Sequence, residues 1–254
     1  RSFGAIAIYS PETNAFDESE VALLKELAGD LAFGIITLHN ETKRREAETR
    51  ALHHLEKLNA SMEQAIEAIA LTVEKRDPYT AGHQKRVAEL ATAIARQMRL
   101  SDDRIRGIRL GSLIHDIGKI YVPAEILNRP GRLAPMELEL IKTHTTVGYE
   151  ILKGVDFSWP VAQMVLQHHE RLDGSGYPHG LKGDGILLEA RILAVADVIE
   201  AMSSHRPYRP ALGIETGLGE ITAHRGTRYD PEVVDAVVKL IHNNGFAFSA
   251  TTFH

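Results

Sequence analysis

Val87-Ala88-Glu89-Leu90-Ala91-Thr92-Ala93-Ile94-Ala95-Arg96-Gln97-Met98 is the stretch on which the fold turns. Its apolar residues Val87, Leu90, Ala91, Ile94 and Met98 recur at steps of one, three and four, which lines them up on one side of an α-helix. Asp77-Pro78 upstream supplies a helix start. The same periodicity returns near residues 102–117, 135–152, 159–170, 187–203 and 231–242, with Gly- and Pro-bearing connections between. Strand-like alternation is nearly absent from this part of the chain. Residues 76–254 therefore read as one all-α domain, a bundle of amphipathic helices.

Toward the N-terminus the character changes. Residues 39–75 are highly charged and contain neither Gly nor Pro. Leu55, Leu58, Met62, Ala65 and Ile69 stand at alternating steps of three and four, the seam of a coiled coil joining two copies of the chain. A single amphipathic helix packed on its own domain is the other reading. Farther upstream, Phe3 to Tyr9 alternate as a half-buried strand does, and Pro11, Asn14 and Asp17-Glu18-Ser19 form a turn and helix start. A helix over 21–38 follows, with Val21, Leu24, Leu27, Ala28, Leu31, Ile35 and Leu38 on its apolar side. One strand and one helix cannot bury a core. Residues 1–38 are thus expected to be the short α/β remnant of a domain in a longer protein.

Composition narrows the chemistry. A net charge of -5 gives no global attraction to nucleic acid or anionic membrane, so no DNA partner is expected. No apolar run approaches the ~20 residues that span a bilayer, and no signal peptide opens the chain. The sequence has no cysteine, which removes disulfides, thiolate metal sites and cysteine nucleophiles, and suits a reducing, cytoplasmic setting.

The functional signal lies in polar residues placed where the helices should be apolar. His144 takes the inward position among Leu140, Ile141, Val147, Gly148 and Ile151. Asp197 interrupts Ile192-Leu193-Ala194-Val195-Ala196-Asp197-Val198-Ile199. His115-Asp116 follows Leu110, Leu113 and Ile114 at a helix end, and His168-His169 closes the helix of Val161, Val165 and Leu166. Each alone has an ordinary explanation, such as a hydrogen-bonded core histidine or a paired carboxylate. An isolated buried carboxylate is costly, however, and four helices of one domain carry such residues. Imidazole with carboxylate and no thiolate is the donor set of hydrolytic metal sites.

His115-Asp116-Ile117-Gly118-Lys119 resembles the signature of the HD metal-dependent phosphohydrolase superfamily. His168-His169-Glu170-Arg171-Leu172-Asp173-Gly174-Ser175-Gly176-Tyr177-Pro178 is similar to the mark of its HD-GYP subgroup. The stretches Arg76–His83, Ala196–Met202 and Arg206-Pro207-Tyr208-Arg209 support the likeness, which runs over about 70–247. Residues 1–38 resemble, less specifically, the end of a GAF sensory domain. The resemblance implies an HD-type helical bundle that hydrolyses cyclic di-GMP to pGpG or GMP. It implies metal ligands at His115, Asp116, His144, His168, His169 and Asp197, with Asp116 bridging two divalent ions, iron or manganese. A third ion in some members uses a Glu at the position of Tyr79, so two are expected here, and His83 is left as an unassigned pocket residue. Lys119 would steady phosphate charge or pass a proton. Tyr177, Arg206 and Arg209 would contact the substrate. Leu172, Glu200 and His205 depart from the commoner Trp, Asp and Asp without removing a ligand. Hydrolysis of cyclic GMP-AMP and a non-catalytic dinucleotide-binding module remain the alternatives.

Overall fold

The computed structural model describes residues 4–76, 82–129, 131, 133–204 and 213–248. Asp77-Pro78, Tyr79, His205, Arg206 and Arg209 lie outside the described residues. The chain divides into two compact units, Arg1–Ser61 and Met62–His254. Ten α-helices and no sheet occur among the described residues, as an all-α fold requires.

In the first unit, the strand expected within Phe3–Tyr9 does not form over its described part, 4–9. No strand lies beside it among the described residues to make a ladder, and Ile6 and Ile8 lie exposed. The helix start is where the sequence puts it. Asp17 Oδ1 accepts from the Glu20 amide at 2.8 Å while Glu20 Oε2 accepts from the Asp17 amide at 2.9 Å, a reciprocal cap. Helix α1 then spans Glu18–Glu74, joining the two predicted helical segments without a break. No proline or left-handed residue at 38–41 ends it.

The second unit holds the C-terminal turns of α1, α2 (His83–Gln97), α3 (Asp102–Ile114), a 3₁₀ turn (Ile117–Tyr121) and short α4 (Ala124–Leu127). It continues with α5 (Pro135–Lys142), α6 (His144–Leu152), α7 (Val161–Gln167), α8 (Leu188–Ser203), α9 (Ile214–Ala223) and α10 (Pro231–Asn244). The single helix expected over 135–152 is two helices, because Thr143 ends the first: its amide and its hydroxyl both donate to the Leu140 carbonyl. α9 and α4 were not anticipated, since neither carries a long apolar repeat.

Two apolar clusters hold the bundle. Val87, Leu90, Ala91 and Ile94 of α2 are fully buried against Ile192, Leu193 and Ile199 of α8 and Val233 and Val237 of α10. Ile66, Ala70 and Val73 of α1 pack with Leu110, Leu113 and Ile114 of α3 and Val161 and Val165 of α7. Burying each such branched side chain stabilises by about 1.5–3 kcal/mol. The seam between the clusters, where α3, α6, α7 and α8 end or pass, is where polar side chains gather.

Candidate metal centre

Three histidines are placed by one device. His115 is the first residue beyond α3, His168 the first beyond α7, and His144 lies just past the end of α5. Each ring bonds back through Nδ1 to the carbonyl three residues earlier: His115 to Ser112, His144 to Ile141 and His168 to Val165, all at 2.7 Å. A carbonyl only accepts, so Nδ1 must carry the proton and, in a neutral ring, Nε2 is a bare lone pair. Burial is the first cause that lowers the proton affinity of His144 and His168, and neighbouring cationic groups add to it. His169 is lowered well below the ordinary range by burial and by His168.

These bare nitrogens converge. His144 Nε2 lies 3.3 Å from His168 Nε2, 3.6 Å from Asp116 Oδ1, and His115 Nε2 lies 3.5 Å from Asp116 Oδ2. Two facing lone pairs at 3.3 Å repel unless a cation lies between them. Asp116 is 3% exposed, and burial opposes its charge, but Lys119, His115 and His144 hold it well below the usual carboxylate range. Asp197, from the interior of α8, is also held well below that range against its burial, by His83 first.

The sequence left His83 unassigned; the structure brings it into the cluster. Its Nε2 stands 3.3 Å from Asp197 Oδ1 and 3.9 Å from Asp116 Oδ2, while Nδ1 bonds Glu200. Burial disfavours its charge, yet Asp197 and Glu200 raise its pKa to about 9. Glu200, fully buried, also takes Arg86 at 2.7 Å and is lowered to about 2 despite burial, by His83 first. Sequence reasoning treated Glu200 only as a departure from pattern. The signal was available: His83 and Arg86 are three apart on α2, and Asp197 and Glu200 are three apart on α8, so each pair shares a helix face.

The helix read near 102–117 stops at Ile114, and Lys119 sits in the 3₁₀ turn with Nζ 2.7 Å from Asp116 Oδ2. The turn packs against α6 so closely that a Cβ on Gly118 would lie 1.9 Å from the His144 carbonyl oxygen. After α7 the chain folds into a loop held by buried Glu170, whose carboxylate accepts from the amides of His179 and Leu181 at 2.8 and 2.9 Å. Gly176 is seated on the 169–171 backbone, where a Cβ would meet Arg171 N at 2.4 Å. Tyr177 is thereby stacked on His169, ring centroids 4.7 Å apart, with Lys142 Nζ 5.5 Å from its ring centre. Burial, then Asp197 and Asp116, raise its phenol, which stays protonated.

The donor atoms form three overlapping groups among the described residues: His144-His168-His169, His83-His115-Asp197 and His115-Asp116-His168, each within 4.8 Å. Imidazole nitrogens together with carboxylate oxygens, and no thiolate, suit divalent transition metals. The cluster could hold metal ions. No helix among the described residues is long and apolar enough to cross a membrane.

The HD domain family matches residues 65–233. The chain is 39% identical to the cyclic di-GMP phosphodiesterase response regulator RpfG of Xanthomonas campestris pv. campestris, over 76% of this chain and 51% of that protein. It is 42% identical to a cyclic di-GMP phosphodiesterase of Thermotoga maritima, over 70% and 49%. It is 40% identical to the 3'3'-cGAMP-specific phosphodiesterase 3 of Vibrio cholerae, over 74% and 41%. The chain thus spans about half the length of the curated relatives it matches. Among solved structures, the cyclic GMP-AMP phosphodiesterase V-cGAP3 of V. cholerae has a TM-score of 0.56 at 21% identity, covering 71% of this chain and 49% of that one. That likeness is one of fold. The matched span covers well over half the chain and contains every helix that contributes to the His/Asp cluster, and so the chain belongs to the HD domain family.

Proposed function

We propose that this chain hydrolyses a phosphodiester bond of cyclic di-GMP, giving pGpG or GMP, at a centre of two divalent cations, iron or manganese. The observation that carries the reading is the convergence of bare Nε2 atoms and ionised carboxylates, which disfavours an anionic substrate until cations are present. His115, Asp116, His144, His168, His169 and Asp197 would hold them. Two trios with no member in common, and Asp116 lying between, support two ions, to both of which Asp116 would contribute an oxygen, with His83 available in the second trio. Bound divalent cations supply Lewis acidity, lowering the pKa of water and neutralising phosphate charge.

The chain's own residues do the rest. Lys119, held by Asp116, places an ammonium where it can bind a phosphate oxygen or give a proton to the leaving alkoxide. Tyr177, stacked on His169, would offer its ring to a base. Arg206 and Arg209, outside the described residues, would pair with phosphates through their guanidinium forks.

The names of the X. campestris and T. maritima relatives support cyclic di-GMP. The V. cholerae relative, matched at a similar level, supports a second reading, cyclic GMP-AMP. Residues 76–254 are the catalytic domain in this reading. Residues 39–75 form a coiled coil joining two copies, and 1–38 end a GAF-like sensory domain. Exposure of Leu55, Leu58, Met62 and Ile69 supports a pairing seam.

Protein purified without oxygen and loaded with iron or manganese is expected to turn over cyclic di-GMP faster than cyclic GMP-AMP, with Asp116→Ala inactive. Equal turnover by both proteins would dismiss this site. The opposite substrate preference would select the second reading, and binding without turnover under every metal would leave a non-catalytic module. Light scattering of the chain is expected to give a dimer.

A further inference from the structure

The mechanism above makes no use of a buried carboxylate at the end of α1. Glu74 is 8% exposed. Its two oxygens accept from the amides of Gly82 and Gln84, at 3.1 and 3.0 Å, across eight and ten residues of sequence. These amides flank His83, the first residue of α2, and Gly82 itself has no side chain to cap the helix. Glu74 is therefore the N-terminal cap of α2, supplied from a different helix. Two residues on, Arg76 donates from its guanidinium to the Ile120 carbonyl, in the 3₁₀ turn that carries Lys119. The end of α1 thus grips both strands of the site: the helix that begins with His83 and the turn that follows Asp116.

We propose that Glu74 is a positioning residue for the metal centre, fixing His83, so that the placement of the last turn of α1 sets the affinity for metal and the turnover rate. The inference rests on reading the His/Asp cluster as a hydrolytic metal centre. Without the cap, the part-buried amide of Gly82 and the buried amide of Gln84 lose their acceptor and the first turn of α2 frays. His83 is in that turn, and fraying would leave its 3.3 Å contact with Asp197 Oδ1 to be held by the Glu200 bond alone. Groups that orient ligands from behind commonly change metal affinity by about 10–100-fold when removed.

The test compares Glu74→Ala, Glu74→Gln and Arg109→Ala in the intact chain. Arg109 pairs with Glu67 at 2.9 Å and Glu63 at 3.6 Å, tying the same part of α1 to α3 away from the cluster. Manganese(II) affinity is measured by titration calorimetry, amide exchange at Gly82 and Gln84 by NMR, and kcat and KM with cyclic di-GMP. Glu74→Ala is expected to weaken manganese binding about tenfold or more, speed exchange at both amides, and lower kcat with KM little changed. Glu74→Gln, whose carbonyl still accepts one amide, is expected to recover part of each. Arg109→Ala is expected to lower the thermal midpoint while leaving manganese affinity and kcat at parental values.

Parental manganese affinity in a folded Glu74→Ala protein overturns the inference. So does an equal loss in Arg109→Ala, which would mark the effect as general loosening. Should Glu74→Ala not fold, Glu74→Gln with parental exchange and affinity overturns it alone. A parent chain that binds manganese but hydrolyses no cyclic dinucleotide would refute the proposed activity, while the affinity and exchange measurements still decide the role of Glu74. A parent that binds no manganese overturns both.

Discussion

Replacing Gly118 by alanine tests how tightly the site is built. The added Cβ would stand 1.9 Å from the His144 carbonyl oxygen, 2.6 Å from the Gly148 nitrogen and 2.7 Å from the His144 carbonyl carbon. All three are backbone atoms, so no side chain can swing aside. Relief to ordinary contact at 3.4 Å requires the 3₁₀ turn and α6 to separate by about 1.5 Å. Asp116 and Lys119 belong to one side of that contact and His144 to the other, 3.6 Å from the Asp116 carboxylate. Overpacking of this kind costs about 1–3 kcal/mol, which for a chain of this size lowers the melting midpoint by roughly 2–12 °C. A 1 Å misplacement of reacting groups costs about a hundredfold in rate, so kcat is expected to fall by that factor or more. Melts of the metal-free protein, manganese titration and turnover of cyclic di-GMP read the three effects. Gly185→Ala is the control, since its Cβ would meet nothing nearer than Leu181 Cβ at 4.0 Å. Gly118→Ala with parental metal affinity and turnover within about twofold would refute the claim that this contact fixes Asp116 against His144.

Glu200→Ala leaves His83 and Arg86 without the buried carboxylate they share, and urea unfolding is expected to show a loss of about 3–5 kcal/mol; a loss below about 1 kcal/mol would mean the charges find water or another partner. His144→Ala removes an inward nitrogen that no neighbour replaces, so metal content by elemental analysis is expected to fall below the parent's, and full occupancy would contradict that. Tyr177→Phe keeps the ring stacked on His169 and is expected to hold KM within about twofold, whereas Tyr177→Ala is expected to raise it about three- to tenfold, the worth of one aromatic contact. Equal KM in the two variants would show that the ring is not what meets the substrate.

Much of the site was legible because metal ligands violate helical patterning. His144, Asp197, His115 and His168 stood out as polar residues in apolar registers, and the structure brings all four to one place. His83 was harder to read, as it opens its helix and breaks no apolar run; its partner Glu200, fully buried across the bundle, is what ties it to the cluster side of α8. Glu74 had no local signal at all. It lies in a charged helix among other acids, and what distinguishes it is a pair of amides eight and ten residues later, a contact made by folding. The strand read within Phe3–Tyr9 failed for a related reason. Alternation records which faces a segment presents, but a strand exists only where a second one completes its hydrogen bonds.

The recurring placement of histidine just beyond a helix end has its own logic. The last four carbonyls of a helix have no amide partner within it, and a ring Nδ1–H three residues on can take one of them. Ser112, Ile141 and Val165 supply those carbonyls, so one hydrogen bond both satisfies the helix end and decides which ring nitrogen stays bare. The ends of α3, α5 and α7 that meet here are electronegative poles, but α2 and α6 begin here at His83 and His144 with their positive poles, so it is the donor atoms rather than the helix dipoles that favour cations. A cluster of neutral imidazoles would otherwise be a poor core filler, with lone pairs facing one another at 3.3 Å. The arrangement is therefore better understood as a fold that is incomplete without its cations. Metal binding should then raise the stability of the second unit as well as its reactivity, because the charge that activates the substrate also relieves the repulsion among the residues that hold it.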